Sequence, residues 1–172
     1  VRTRRRAVSQ ARASRPVASA SSAALSQRGG ALPQTLSSQS AGVSYGDGRY
    51  GKGLMVKDTT QVAWTVNLPQ VFHTSFWFIP QEVTTCVIWK ATGPVGALLL
   101  GYDAQTQDFF LEDHLSRRIT LAFELEASDR ICLGVCQTSA ERRLFAARMG
   151  GGVQSASARL EPVGAFSSLR LY

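Results

Sequence analysis

The sequence lacks any long apolar run, and its longest unbroken one is about the length of residues 97–100. A helix that spans a bilayer needs roughly 20 apolar residues, so no membrane-spanning helix is predicted. The stretch after Val1 has no apolar core of the kind a secretory signal peptide carries. The sequence leaves open whether a signal peptide precedes Val1. The motifs G-x-x-x-x-G-K-[ST] and C-x-x-C are also missing. Their absence removes the usual signatures of a phosphate-binding loop and a dithiol site.

Acidic residues are missing from the first quarter of the chain. Residues 1–46 hold seven arginines, no lysine and no acid, whereas residues 47–172 hold twelve basic and twelve acidic residues. The formal net charge of +7 therefore belongs to the N-terminal segment, and the remainder is neutral. A neutral body disfavours a nucleic-acid-binding fold with a basic face spread over it, so no nucleic-acid partner is expected.

Large aliphatic and aromatic residues are scarce before Tyr45. Such a segment buries too little apolar area to offset the entropy of ordering it, and residues 1–44 are predicted to be a disordered tail or linker. Its Arg- and Ser-rich, acid-poor composition is also typical of a transit peptide. A third interpretation is polyanion binding, because four arginines within five residues favour contact with a sulfated polysaccharide or phosphate surface: Arg2, Arg4, Arg5 and Arg6.

The composition of residues 45–172 predicts a β-sheet domain. Apolar, β-branched and aromatic residues alternate with polar ones in short runs, and turn signals such as Gly46-Asp47-Gly48 separate the runs. Residues 139–149 allow a helix or a strand at 143–147, and the strand is preferred because its neighbours alternate. The other predicted strands are 61–66, 74–79, 86–89, 97–102, 108–111 (a candidate edge strand), 119–125, 131–136 and 169–171. This pattern indicates an all-β antiparallel sandwich or barrel.

The order of motifs in this domain resembles that of laminin G-like jelly rolls. Residues 50–56 (YGKGLMV) resemble the opening G-K-A-L strand, and residues 72–80 (FHTSFWFIP) resemble the F-T-I-S-F-W-V-K-P strand. Residues 144–147 (LFAA) lie where that family has L-Y-V-D-G, and residues 166–172 (FSSLRLY) resemble its terminal I-D-E-V-R-I-Y strand. Residues 45–172 are thus similar to the concanavalin A-like superfamily, which includes laminin G, pentraxin and thrombospondin N-terminal domains. The resemblance implies an antiparallel β-sandwich of the jelly-roll type.

The resemblance and the absence of a catalytic set predict a non-enzymatic binding or adhesion module of a larger extracellular or cell-surface protein. Its implied partners are a glycan, a glycosaminoglycan such as heparin, or an extracellular protein. An alternative is an organellar structural or assembly subunit, with residues 1–44 as a transit peptide for a mitochondrion or chloroplast. A second alternative is a sandwich glycosidase that uses Glu124 and Glu126, because residues two apart on a strand lie roughly 6.6 Å apart at Cα.

Two acids form a candidate calcium site, Asp103 and Asp108, which flank residues 104–107 and are expected to face each other. Many domains of the superfamily bind calcium between strand-connecting loops, and calcium takes 6–8 oxygen ligands. Because no Asp-x-Asp-x-Asp loop is present, solvated turn acids are the competing interpretation. His73 and His114 are interpreted as ordinary surface or rim histidines.

The three cysteines, Cys86, Cys132 and Cys136, leave two alternatives. On one straight strand Cys132 and Cys136 would lie about 13 Å apart, whereas a disulfide needs Cα atoms within roughly 7 Å. Either Cys86 pairs with one of them across neighbouring strands, or all three are reduced and lie in or near the core.

Overall fold

A computed structural model of the chain consists of two antiparallel β-sheets around an apolar core. The structure describes residues 61–172 throughout and, ahead of them, only the backbone of five short strands between residues 26 and 55. Those five strands are β1 (Ser26–Gln27), β2 (Gly30–Ala31), β3 (Thr35–Gln39), β4 (Ser44–Gly48) and β5 (Gly51–Met55). The strands that follow are β6 (Val62–Leu68), β7 (Phe72–Phe78), β8 (Cys86–Thr92), β9 (Ala97–Asp103), β10 (Asp108–Asp113), β11 (Arg118–Ala122), β12 (Ile131–Gln137), β13 (Arg142–Arg148), β14 (Val153–Ala158) and β15 (Phe166–Leu171).

The larger sheet has seven strands in the order β11-β10-β9-β8-β15-β6-β3, and the smaller has four in the order β14-β13-β12-β7. Two further ladders pair β1 with β2 and β4 with β5. The last strand, β15, inserts between β6 and β8 and is antiparallel to both. The prediction of an all-β antiparallel sandwich is therefore confirmed. Among the described residues, none forms a helix long and apolar enough to cross a membrane.

Strict alternation along the strands builds the core. On β12 the side chains of Ile131, Leu133 and Val135 are fully buried, while Cys132 and Cys136 point to the opposite face. Full burial of each large aliphatic side chain contributes about 1.5–3 kcal/mol. The same period of two on the other strands holds the sheets together through their facing sides.

The predicted strands all occur, and the ambiguous residues 139–149 contain β13, which confirms the preference for a strand. The assignment of 108–111 to an edge was wrong, because β10 lies between β9 and β11 with Phe109 and Leu111 fully buried. The strand predicted at 119–125 ends at Ala122. The next amide, of Phe123, donates to the carbonyl of Gln107 (2.9 Å), which lies in the turn before β10. The sequence-based prediction missed β14 (VQSASA), which has no large inward-facing side chain.

Most of the predicted tail, residues 1–44, lies outside the described residues. Within that range β3 pairs with β6 and extends the seven-stranded sheet. Disorder of the tail and the domain boundary at residue 45 stay predictions.

A buried ion pair joins the two sheets at one end of the sandwich. Arg142 on β13 places Nη1 2.8 Å from Oδ2 of Asp113 on β10, and both side chains are 0% exposed. Arg117 donates from Nε to the same oxygen (2.7 Å), and Arg142 donates from Nη2 to the Glu161 carbonyl (2.6 Å). Burial raises the pKa of Asp113, but hydrogen bonds from Arg142, Arg117 and the Leu115 amide outweigh it and hold that pKa below its ordinary value.

Gln137 completes this buried end of the sandwich and lies directly opposite Arg142 in the ladder. Its side-chain amide donates to the carbonyls of Gln70 (2.7 Å) and Val163 (2.9 Å) and accepts from the Val163 amide (3.2 Å). Each of these bonds ties a loop to β12, so the loops at this end are fixed to the sheet.

Candidate functional site

The outward side of the four-stranded sheet carries a cluster of aromatic and polar side chains. These positions alternate with core positions along each strand, so they lie on the face turned away from the other sheet. Register places them in three rows across β7, β12 and β13. We call this surface the aromatic face, and its rows are His73–Cys136–Arg143, Ser75–Gly134–Phe145 and Trp77–Cys132–Ala147.

Phe145 lies at the centre of the aromatic face and is half-buried. Its neighbour across the ladder is Gly134, and a Cβ at Gly134 would overlap the Cζ and Cε atoms of the phenyl ring. The ring therefore occupies the space that a side chain on β12 would fill. The His73 ring meets it edge to face, with centroids 5.3 Å apart and planes at 89°. Phe145 is thus held between a glycine and a histidine.

Polar groups border the same rings. Arg143 donates from Nη2 to Oε1 of Glu141 (3.1 Å), and Ser157 on β14 lies opposite Arg143 in the ladder. A hydrogen bond from the Ser157 hydroxyl, together with Arg143, lowers the pKa of Glu141, which therefore stays ionised at neutral pH. His73 and Ser75 are exposed on β7. The border offers hydroxyl, imidazole and guanidinium donors beside a carboxylate acceptor.

This arrangement suits a ligand with apolar C–H faces and many hydroxyl groups. Aromatic rings carry a negative face, which attracts the weakly positive hydrogens of a ring that stacks on it. Hydroxyl groups at the edge of such a ring would meet the donors and acceptors of the border. The three rows themselves contain no acid among the described residues, so they do not assemble the carboxylate pair that glycoside hydrolysis uses.

The structure places Asp103 and Asp108 directly opposite each other across the β9–β10 hairpin. Asp103 accepts from the Gln105 amide at Oδ1 (3.0 Å), and its Oδ2 lies 3.9 Å from Arg118. No three His, Cys, Asp or Glu side chains in the described part of the chain come together in a way that could hold a metal. The hairpin supplies two carboxylates toward the 6–8 oxygens that calcium takes, and calcium binding there stays a prediction.

Glu124 and Glu126 follow β11, and both are exposed while Phe123 and Leu125 are buried. Their backbones support a turn: the Glu126 amide donates to Asp129 Oδ2 (2.9 Å), and Arg148 donates to the Glu124 carbonyl (2.7 Å). The pair therefore lies on the sandwich rim and not on the aromatic face.

The remaining predicted residues are placed as follows. His73 belongs to the aromatic face, whereas His114 lies exposed beside Gly96. The three cysteines are thiols, with Cys86 in the larger sheet and Cys132 and Cys136 in the smaller. The arginines proposed for polyanion binding lie outside the described residues, and that role stays a prediction: Arg2, Arg4, Arg5 and Arg6.

Trp77 and Phe145 were not singled out from the sequence as functional residues. The signal was available in the alternation of residues 73, 75 and 77 and of residues 143, 145 and 147, because these positions must face away from the core. The alternation does not predict that these side chains assemble into one surface, because that depends on the register of β7, β12 and β13.

Solved structures with a similar fold include domain 4 of AbnA, a GH43 extracellular arabinanase from Geobacillus stearothermophilus, in complex with arabinotriose. It superposes with a TM-score of 0.53 at 15% sequence identity and covers 81% of this chain and 82% of that chain. The carbohydrate-binding module CBM66 from Bacillus subtilis gives a TM-score of 0.43 at 12% identity, with 81% and 87% covered. No protein-family model matches the chain, and no curated protein matches its sequence. The AbnA domain confirms the sandwich fold; membership of the laminin G or pentraxin families stays a prediction.

Proposed function

We propose that this chain is a non-catalytic glycan-binding module and that the aromatic face is its binding surface. The observation that carries the proposal is the Phe145 ring fixed over Gly134 beside His73, on an outward sheet face bordered by hydroxyl and charged groups. Phe145, His73 and Trp77 supply stacking area, and Ser75, Arg143 and Glu141 supply hydrogen bonds.

The dimensions of the sheet favour an oligosaccharide over a single sugar. Phe145 on β13 and Trp77 on β7 are separated by two strand spacings, roughly 9–10 Å, and by one row along the strands, roughly 6.6 Å. A ligand that contacts both rings must therefore extend over several sugar units. Domain 4 of AbnA, which was solved in complex with arabinotriose, supports this proposal because it has a similar fold.

The proposal includes an extracellular location within a larger chain, as the resemblance to laminin G-like domains implies. Disulfides persist in oxidising compartments, so the three thiols give no further support to an extracellular location. The mature N-terminus distinguishes the alternatives: a chain that begins near Gly30 inside a mitochondrion or chloroplast would contradict an extracellular location.

The test compares Phe145→Ala with Phe110→Ala in the full chain. Phe110 is a matched control, because its ring lies over Gly101 on the outward face of the other sheet and is covered by Arg118, 4.0 Å from the ring centre. Titration calorimetry with the neutral oligosaccharides that bind the parent chain, arabinotriose among those screened, measures the affinity. Phe145→Ala should weaken binding about tenfold or more, as loss of a central aromatic contact does, and Phe110→Ala should leave it unchanged. Equal effects of the two variants, or no glycan bound by the parent, would contradict the proposal.

A further inference from the structure

Two cations lie directly opposite each other on the outward face of the seven-stranded sheet. Lys90 on β8 and Arg170 on β15 are Cα partners in the ladder. Like charges in that position destabilise a sheet. Neither side chain forms an ion pair within the described part of the chain. The cations that do form one there are Arg117, Arg118, Arg142, Arg143 and Arg148.

Hydroxyl groups lie next to these cations. Thr92 and Ser168 are Cα partners in the same ladder, two residues from Lys90 and Arg170 respectively. The four side chains, with Tyr172, line a cavity of 210 Å³ that opens to solvent. Because about 10–15 Å³ of such a volume is enough to hold one water, the cavity has room for a charged group together with several waters.

The acids of this sheet do not neutralise the pair. In the row that contains Lys90, the next charged residue across Leu99 is Glu112, two strands away. Its Oε2 lies 3.7 Å from Nη1 of Arg118, and Asp103 lies 3.9 Å from Nη2 of the same arginine. The positive charge at Lys90 and Arg170 therefore remains available on a body that is neutral as a whole.

We infer that Lys90, Arg170, Thr92 and Ser168 form a binding site for an oxyanion, a sulfate or a carboxylate, carried by an acidic polysaccharide. An anion between the two cations replaces their repulsion with two attractions. The guanidinium of Arg170 can present paired N–H groups to two oxygens, while the Lys90 ammonium and the hydroxyls complete the shell. The inference deepens the proposed function, on which it rests for the polysaccharide nature of the ligand.

The test uses the full chain with Arg2, Arg4, Arg5 and Arg6 all changed to Gln, because those arginines are themselves a candidate polyanion site. In that background, Lys90→Gln/Arg170→Gln is compared with Arg130→Gln/Arg159→Gln. The control pair removes the same charge from exposed positions outside the cavity. Affinities for heparin, which is sulfated, for hyaluronan, which carries carboxylates only, and for arabinotriose are measured at 150 mM salt.

The Lys90→Gln/Arg170→Gln chain should bind heparin or hyaluronan about tenfold or more weakly than its parent, and the control pair should change the affinity less than threefold. The polymer that shows the loss identifies sulfate or carboxylate as the group bound. Equal losses in both double variants, an unchanged affinity, or no acidic polysaccharide bound by the parent would overturn the inference.

Phe145→Ala in the same background separates this inference from the proposed function. It should lower the affinity for neutral oligosaccharides and leave heparin or hyaluronan binding intact, because the two surfaces lie on opposite sheets. An unchanged affinity for neutral oligosaccharides would contradict only the proposal that the aromatic face binds glycans. The result for Lys90→Gln/Arg170→Gln tests only the oxyanion site.

Discussion

Asp113 and Arg142 are charged residues in a place where a sandwich ordinarily holds apolar side chains, and both are fully buried. Removing one partner of a buried ion pair leaves the other charge without compensation and costs about 3–5 kcal/mol. The pair also links β10 to β13, so its loss would remove a polar contact between the two sheets at one end. The Asp113 carboxylate also accepts hydrogen bonds from the Arg117 side chain and from the backbone amides of residues 115 and 117.

Asp113→Asn should lower the free energy of unfolding by about 3–5 kcal/mol at pH 7. The pKa of Asp113 in the folded chain lies below its ordinary value of 3.8. Its stabilising contribution is therefore fully present above pH 3.8 and is lost as the pH falls through the lower folded-state pKa. The free energy of unfolding in urea, measured from pH 7 to pH 2, should fall less for the variant than for the parent. Asp129 and Glu141, whose pKa values are also lowered, contribute equally to both chains, so parallel curves would contradict this role of Asp113.

Among the elements, β7, β12 and β13 show what a sequence can and cannot predict. Their period of two predicts strands at these positions, and all three strands are present. The tight turn at 138–141, closed by a bond from the Thr138 amide to the Glu141 carbonyl (2.8 Å), sets the register of β12 on β13. The pairing of β7 with β12 joins residues about sixty positions apart, which no local pattern specifies.

Gly134→Ala tests whether glycan binding depends on the position of the Phe145 ring over β12. A Cβ at Gly134 would overlap the far end of the Phe145 ring, which can turn away, so stability should fall by only about 1 kcal/mol while glycan affinity falls about as much as in Phe145→Ala. Gly152→Ala, where nothing lies within 4 Å of the added Cβ, is the control in calorimetric titration and urea unfolding. Adding Phe145→Ala to Gly134→Ala should restore the stability. Full glycan affinity in Gly134→Ala would mean that the ring position does not matter.

For the whole molecule, the alternation of short strands was sufficient to predict an antiparallel sandwich. The distribution of strands between the sheets was not predictable, because β15 inserts between β6 and β8 across about a hundred residues of chain. The same long-range pairing brings Arg170 opposite Lys90, so the oxyanion site has no local sequence signal. The charge distribution was readable: the excess of arginine lies in residues 1–46, and the body that carries both proposed surfaces is neutral.

The most direct test of glycan binding on the aromatic face is amide shift mapping of the ¹⁵N-labelled full chain. The chain is titrated with the neutral oligosaccharide that it binds most tightly. The largest shifts are expected at the amides of His73, Gly134 and Phe145, with Gly101 and Phe110 on the opposite sheet unaffected. Shifts that instead concentrate at Gly101 and Phe110, or at the 103–108 hairpin, would contradict binding on the aromatic face.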